Sequence, residues 1–347
     1  MVRFTVLASG SRGNSAIVSS CPSGTGSNGS AECTRILVDA GLSCRELFRR
    51  MRLAGEDPSK LDAILITHEH QDHINGLAVT ARRLGIPVYF TEATHRAWVR
   101  QVTPQKRITY AEWAAQYRAQ KQQAGGFPVP HPDPNPLPDP APDPAPDPEP
   151  VPDPAPMIAA SADDNTCAPE PESASAPDPG RLPSVEYFRA GEAFQIGDIA
   201  ISPFTIPHDA ADPVGFVFTA EGVRLAIATD LGYMPPNVQA QLRRCDLIML
   251  ESNHDLEMLR DGPYPWSVKQ RVLSRVGHLS NDAASAFLEQ TYDGTATYLI
   301  LAHLSESNNL PELARLAAER ALTTRPSLLA NRLFLASQHQ PMEPVCF

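Results

Sequence analysis

The chain lacks the features of a secreted, membrane-spanning or zinc-finger protein. Its first residues, MVRFTVLASGSRGNS, have no cationic segment followed by a long apolar one, so they do not resemble a secretory signal. No run of about eighteen apolar residues is present that would span a bilayer. The six cysteines form no CxxC pair. These absences predict a reduced, cytoplasmic protein, in which Cys21 and Cys33 are expected to be free thiols that only oxidation would bridge.

Basic residues are absent between Lys121 and Arg181. Eleven of the 40 acidic residues fall in this interval, so the rest of the chain has 29 acids against 29 bases, and the net charge of −11 belongs to the interval alone. Twenty of the 35 prolines lie between Pro128 and Pro183. Proline removes amide donors and favours extended backbone, which prevents a packed core. We predict a disordered Pro/Asp-rich insertion over 121–183, a surface segment for which docking of a partner protein is the alternative.

Strand-like and helix-like segments alternate on both sides of this insertion. Before it, RFTVLAS, SAIVSS, TRILVDA and DAILITH have the composition of strands, and INGLAVTARRLG has helical spacing closed by Gly85. After it come further strands, such as PVGFVFTAEGVRLAIATD and TYLILAH, and the helices DAASAFLEQTY and LPELARLAAERAL. The pattern predicts an α/β fold, a four-layer αββα sandwich. Its two parts are residues 1–120 and 184–347, because neither alone closes a sandwich.

The segment AILITHEHQDHING concentrates ionisable side chains at the end of a buried strand. His68 and His70 lie two positions apart, so an extended backbone sends both imidazoles to one side. Asp72 and His73 follow where the chain turns into a helix and approach from another direction. Burying such groups without partners would cost several kcal/mol each, roughly, which argues against a purely structural role. The spacing predicts one metal between His68 and His70 and a second between Asp72 and His73, with zinc favoured and manganese or iron also suited.

HEHQDH matches the HxHxDH signature of the metallo-β-lactamase fold, and the chain resembles that family over nearly its whole length outside the insertion. The resemblance implies three further ligands at later strand ends: His208 after ISPFTIP, Asp230 after RLAIAT and His303 after TYLILA. It assigns one metal to His68, His70 and His208. It assigns the other to Asp72, His73 and His303, with Asp230 bridging. It also makes Asp39 a structural aspartate beneath the metal-binding loop.

Within this family the motifs ASGSRGNS, PHDAADPVGF, ESNHD and GHLSN resemble the WalJ (YycJ) subfamily, which is similar to RNase Z and to PhnP-type phosphodiesterases. Resemblance to RNase Z implies that Asp72 also accepts a proton from water and that His278 is a general acid for the leaving group. Steadying of His303 is the alternative role for His278. Glu251 is expected to hydrogen-bond one of these histidines, and His254 to orient either substrate or a ligand.

Other features separate the chain from particular members of the family. No cysteine stands at the position of Asp230, unlike the common zinc β-lactamases, and no Gly/Pro-rich arm of the RNase Z kind is present. Ser11, Arg12 and Asn14 in SGSRGNS are candidates for contact with a phosphate, or simply form a tight hairpin. The aromatic residues of GPYPWSVKQR are expected to pack in the core, with base stacking as the alternative.

The sequence therefore predicts a dinuclear metal-dependent hydrolase with two divalent ions, zinc or manganese. Ions about 3.5–4 Å apart can share a bridging hydroxide near neutral pH. The favoured substrate is a phosphodiester in nucleic acid or a nucleotide, with no membrane involved. The first alternative is a small-molecule hydrolase acting on cyclic nucleotides, thioesters or lactones. The second is a binding protein that keeps its metals for structure.

Overall fold

The computed structural model describes residues 1–22, 33–103, 180–324 and 332–347, together with the single residue Ala115. Met1–Thr103 and Asp178–Phe347 form one compact unit. The predicted insertion, 121–183, lies outside the described residues except for 180–183, so its disorder remains a prediction. No helix among the described residues is long and apolar enough to cross a membrane.

Two mixed sheets of seven strands each make the centre of the described part of the chain. The first sheet has the spatial order β14-β1-β2-β3-β4-β5-β6 and the second the order β13-β12-β11-β10-β9-β8-β7. The strands are β1 Val2–Ala8, β2 Ser15–Ser20, β3 Thr34–Val38, β4 Ala63–Leu65, β5 Pro87–Phe90, β6 Ser184–Tyr187, β7 Phe194–Ile196, β8 Ile199–Thr205, β9 Val214–Ala220, β10 Val223–Ala228, β11 Leu247–Glu251, β12 Tyr298–Ala302, β13 Arg332–Leu335 and β14 Val345–Cys346.

Helices cover the outer face of each sheet. The helices are α1 Cys44–Leu53, α2 Gln71–Ile74, α3 Leu77–Leu84, α4 Glu92–Val102, α5 Pro236–Gln241, α6 Leu256–Asp261, α7 Trp266–Val272, α8 Asn281–Gln290 and α9 Pro311–Thr323. One apolar core lies between the sheets and includes Val18, Ile36 and Phe216, while separate cores join each sheet to its helices. The predicted αββα sandwich is confirmed.

Turn chemistry explains several of the boundaries. Gly85 ends α3 in the left-handed conformation, with φ +68°, as the sequence predicted. Glu221 and Gly222 both have positive φ between β9 and β10, the geometry that matches the twist of a two-residue hairpin. The strands β6 and β14 come late in the chain, yet both complete the first sheet, so the second part of the chain contributes to both sheets.

Cys21 and Cys33 form a disulfide, so the prediction of free thiols is wrong. The reason is the register of β2 and β3, in which Ser20 faces Thr34. The two cysteines are the next facing pair, with Cα atoms 4.2 Å apart. The sequence suggested only that the cysteines bracket a loop, whereas strand pairing brings their side chains together.

The carboxyl ends of the central strands meet at one edge of each sheet. β3 and β4 are parallel, and so are β10, β11 and β12. β8 runs in the same direction as β10 because both are antiparallel to β9. Residues that follow these strands therefore gather at the same end of the sandwich.

Substitution of Gly41 tests how tightly this end of the sandwich is packed. A Cβ added there would lie 1.7 Å from the backbone oxygen of Asp72, whereas one at Gly85 meets nothing within 4 Å. We expect Gly41→Ala to lower the free energy of unfolding by about 3 kcal/mol or more and to reduce metal uptake, because the Asp72 loop must move. Gly85→Ala is the control and should cost only the strain of positive φ, about 1–2 kcal/mol. Urea unfolding and metal analysis provide the measurements; equal losses in both variants would contradict the expectation.

Candidate metal centre

The residues predicted as metal ligands come together at the carboxyl ends of the strands. Four overlapping groups of His and acidic side chains there have ligand atoms within 4.8 Å of one another. They are His68, His70 and His208; Asp72, His73 and His303; His68, His73 and Asp230; and Asp230, Glu251, His278 and His303. Asp230 and His303 stand on different strand ends of the second sheet, and His68 follows β4 of the first.

Three buried imidazoles of the cluster are held through Nδ1 by an oxygen of the protein. Nδ1 of His73 lies 2.8 Å from Asp39 Oδ2, and Nδ1 of His303 lies 2.9 Å from Glu251 Oε1. Nδ1 of His208 donates to the carbonyl oxygen of Gly277 at 3.1 Å. The Nε2 atoms are thereby directed towards one another, as in protein sites where an outer oxygen fixes the tautomer of a ligating histidine.

Asp39 supports two of the three histidines of the first motif, His68 and His73. Its carboxylate accepts from the backbone NH of Thr67 at 2.9 Å and from the hydroxyl of the same residue at 2.8 Å. The Thr67 hydroxyl lies 3.0 Å from Nδ1 of His68, so the carboxylate reaches one histidine directly and the other through this hydroxyl. This arrangement agrees with a structural role for Asp39 beneath the loop.

The carboxylates of Asp72 and Asp230 face the Nε2 atoms of two of these rings. Asp72 Oδ2 lies 3.4 Å from Nε2 of both His73 and His303. Asp230 lies 3.5 Å from the same two nitrogens, through its Oδ2 and Oδ1 atoms respectively. His70 completes the other side, with Nδ1 3.2 Å from Nε2 of His208.

The electrostatics of the cluster depend on these carboxylates. Burial alone lowers the pKa of His73, but the carboxylates of Asp230 and Asp72 raise it well above its ordinary value. Burial likewise opposes ionisation of Asp230, yet the imidazoles of His303 and His73 hold its pKa well below the usual range. At His68, burial and the neighbouring His73 lower the pKa well below the ordinary value. A divalent cation would supply the positive charge that the carboxylates favour without a proton on the rings.

Two atoms of the cluster make the fit to a metal specific. Nε2 of His68 and Oδ2 of Asp230 are buried and have no hydrogen-bond partner among the described residues. Such atoms cost roughly 1–3 kcal/mol each unless a ligand satisfies them. Imidazole nitrogens and carboxylate oxygens in this number suit zinc, manganese or iron. The donor set therefore fits a divalent metal.

Backbone strain marks the same positions. Asp39, Asp230 and His303 have φ of +59°, +63° and +56°, although none is glycine. Left-handed backbone costs a non-glycine residue about 1–3 kcal/mol, and it is concentrated at functional sites. The chain turns sharply after the strand at each of these positions, which aims the side chain into the cluster.

Glu251 is an anchor for two histidines. Its Oε1 lies 2.8 Å from Nδ1 of His278 and 2.9 Å from Nδ1 of His303. Its Oε2 accepts from the backbone NH groups of Leu231 and Leu279. With both oxygens occupied, Glu251 positions rings rather than offering a free ligand atom. The predicted hydrogen bond from Glu251 to a histidine is present twice.

A cleft of about 280 Å³ opens onto the cluster. Its wall contains His70, Asp72, Asp230, His278 and His303 among the predicted residues, and also Ser11, Asp209, Val268, Arg271, Val272 and Gly277. Asp209 and Arg271 were not predicted as site residues. Arg271 donates to Asp209, whose Oδ1 lies 3.5 Å from Nε2 of His208. The position of Asp209 directly after His208 was the signal in the sequence that pointed to it.

The three candidates for phosphate contact in the loop SGSRGNS have different positions in the structure. Asn14 is buried, and its amide donates to Asp72 Oδ2 at 3.0 Å, so it positions a ligand. Arg12 turns away to an ion pair with Glu306. Only Ser11 lines the cleft. His254 is buried, and burial lowers its pKa to about 4, but neither of its ring nitrogens has a partner in the described residues.

Trp266 is 65% exposed, so the prediction that this aromatic residue packs in the core is wrong. Pro265 precedes it, and the helix that it begins, α7, has no buried residue. Val268 and Val272 of this helix are only half-buried, so the helix makes no fully buried contact with the rest of the described chain.

Comparison with known proteins assigns the fold to a family. The family model described as beta-lactamase superfamily domain matches residues 34–144 and 158–304, and the chain belongs to this superfamily. The prediction of a metal-dependent hydrolase is thereby confirmed. The resemblance to the WalJ (YycJ) subfamily is confirmed by two curated relatives. The chain is 30% identical over 323 residues to exodeoxyribonuclease YycJ of Bacillus anthracis, covering 92% of this chain and 89% of the relative.

The second relative is exodeoxyribonuclease WalJ of Streptococcus pneumoniae, 28% identical over 316 residues, with 90% of this chain and 86% of the relative covered. Among crystal structures, the metallo-beta-lactamase fold protein YhfI from Bacillus subtilis matches with a TM-score of 0.54 at 13% identity, covering 98% of each chain. A diphosphatase from the PhnP family matches with a TM-score of 0.50 at 17% identity, covering 100% of this chain and 98% of that one. At these identities the two structures support the fold.

Proposed function

We propose that this protein is a dinuclear metal-dependent exodeoxyribonuclease. The observation that carries the proposal is the composition of the cleft, where a complete His/Asp cluster lies beside His278. The names of the two relatives, which cover about nine tenths of the chain, support DNA as the substrate. The predicted cytoplasmic location stays part of the proposal on the ground of the nuclease function alone, because the Cys21–Cys33 disulfide removes the argument from reduced cysteines.

In this proposal the seven predicted ligands hold two divalent ions, zinc or manganese. His68, His70 and His208 would hold one ion, Asp72, His73 and His303 the other, and Asp230 would lie between them. Divalent ions in such a pair supply Lewis acidity, lowering the pKa of water and neutralising negative charge on phosphate oxygens. The unpartnered Nε2 of His68 and Oδ2 of Asp230 support this assignment.

Proton transfers are assigned to side chains at the cleft wall. Asp72, whose Oδ2 is fixed by the amide of Asn14, would accept the proton of the attacking water. His278 would donate a proton to the departing oxygen through Nε2, because its Nδ1 is engaged by Glu251 at 2.8 Å. Proton donation in the transition state typically contributes about 10²–10⁴-fold to a rate.

The substrate class is tested with the purified protein loaded with zinc or manganese. End-labelled single- and double-stranded DNA, bis-p-nitrophenyl phosphate and a thioester are offered separately. We expect DNA to be shortened from an end and the phosphate diester to be hydrolysed, with both activities lost on chelation and in Asp230→Asn. His339→Ala, which removes a histidine that is exposed and outside the cluster, is the matched control. Hydrolysis of the thioester alone would support a small-molecule hydrolase. No hydrolysis of any substrate by the metal-loaded protein would support a binding protein.

The role of His278 is tested by the dependence on the leaving group. We expect His278→Gln to lower kcat on DNA by about 10²-fold or more, because the departing alkoxide needs a proton. The loss on bis-p-nitrophenyl phosphate should be much smaller, because p-nitrophenolate leaves without one. Steady-state rates on both substrates decide the point, with His95→Gln as a control outside the cleft. Equal losses on both substrates would indicate instead that His278 merely steadies His303.

A further inference from the structure

The helix α7 is the feature of the described chain that the metal chemistry leaves unexplained. It has no buried residue, although it carries Trp266, Val268 and Val272. Two more large apolar side chains just beyond it are also exposed, Leu273 at 49% and Val276 at 43%. Exposing so much apolar surface in one short segment is unfavourable unless a ligand or partner covers it.

This segment also carries a local positive charge. From Trp266 to Gly277 there are three basic residues, Lys269, Arg271 and Arg275, and no acidic one. The chain outside the acidic interval is formally neutral, so the strip is not part of a generally basic surface. Lys269 stabilises the preceding turn by donating hydrogen bonds to the carbonyl oxygens of Arg260 and Gly262. Arg271 and Arg275 remain at the surface, the latter over the ring of Tyr233.

The strip is continuous with the metal centre. Val268, Arg271 and Val272 line the same cleft as His278 and the metal ligands. Arg271 donates to Asp209, which is itself close to two of the ligating imidazoles: His208 at 3.5 Å and His70 at 4.0 Å. A substrate that fills the cleft therefore contacts α7 as well as the cluster.

We propose that α7 is the binding wall for a single-stranded end of DNA, with a base stacked on Trp266 and a phosphate held by Arg271. This inference rests on the proposed nuclease function and names the form of substrate that it takes. Exposed aromatic rings beside arginine are the combination by which proteins hold single strands, because every base offers a face for stacking. A duplex keeps its bases stacked inside, so away from its terminal base pairs it offers Trp266 only its edges and backbone.

Stacking is tested by binding in the presence of a chelator, so that cleavage does not interfere. Fluorescence anisotropy of a short labelled single strand should show about tenfold weaker binding for Trp266→Ala, in line with the usual value of a stacked base, whereas Trp266→Phe should retain most of the affinity. Tyr187→Ala is the matched control, because Tyr187 is 55% exposed but lies on β6, outside the cleft. Unchanged binding by Trp266→Ala, or equally tight binding of a duplex, would overturn the proposal.

The phosphate contact is tested by salt dependence. Removing one phosphate contact to a single strand should reduce the slope of log K against log salt concentration by about 0.7. We expect this change for Arg271→Gln and none for Arg96→Gln, since Arg96 is likewise exposed and paired with a carboxylate, that of Glu92, but on α4. An unchanged slope in Arg271→Gln would overturn the assignment of Arg271.

Catalytic measurements separate this proposal from the nuclease function. In metal-loaded Trp266→Ala, the loss in kcat/KM on the single strand should exceed any loss on bis-p-nitrophenyl phosphate by about tenfold, mainly through KM. Equal losses on both substrates would mean that α7 is structural and would overturn the proposal. If DNA is bound through Trp266 but never cleaved, the binding role of α7 is supported and the nuclease function is wrong. If Trp266→Ala cleaves DNA as well as the unmodified protein does, the nuclease function is supported and the binding role of α7 is wrong.

Discussion

The site depends on one constraint, which is that the Nδ1 atoms of His73, His208 and His303 are each held by a protein oxygen. Asp39 holds His73, Glu251 holds His303, and the carbonyl group of Gly277 holds His208. These bonds fix both the tautomer and the direction of the ring, so that the Nε2 atoms converge. Without them, imidazoles and carboxylates packed this closely would have no defined arrangement to offer a cation.

The sandwich supplies the positions that this constraint requires. Parallel strands bring their carboxyl ends to one edge, and left-handed backbone at Asp39, Asp230 and His303 turns each chain segment inward there. Packing of the cores on both faces of each sheet offsets the energetic cost of the strained backbone at these residues. Rigid strands at the base of the cleft therefore contrast with α7 at its wall, where no residue is buried and the proposed contacts with DNA are made. Catalysis and substrate capture are assigned to parts of the chain with very different packing.

Much of this could be predicted because strand ends and ligand chemistry are local signals. HEHQDH identified four ligand-type side chains directly. His208, Asp230 and His303 were assigned through the resemblance to the metallo-β-lactamase family, which implies ligands at the ends of later strands. Features that depend on tertiary packing could not be predicted in the same way. Arg271 lies in a segment that the sequence analysis singled out, but its approach to the cleft follows from the fold. The exposure of Trp266 depends on how α7 packs, and the hydrogen bond from Asn14 to Asp72 requires a loop folded back onto α2. The disulfide was missed for the same reason, since it follows from strand register.

The central claim is that the seven side chains hold a pair of cations in one cleft. Anomalous diffraction from zinc-loaded crystals tests it most directly. The account predicts two peaks per chain, one contacted by His68, His70 and His208 and the other by Asp72, His73 and His303, with Asp230 between them. A single peak, or peaks located away from Asp230, would contradict it.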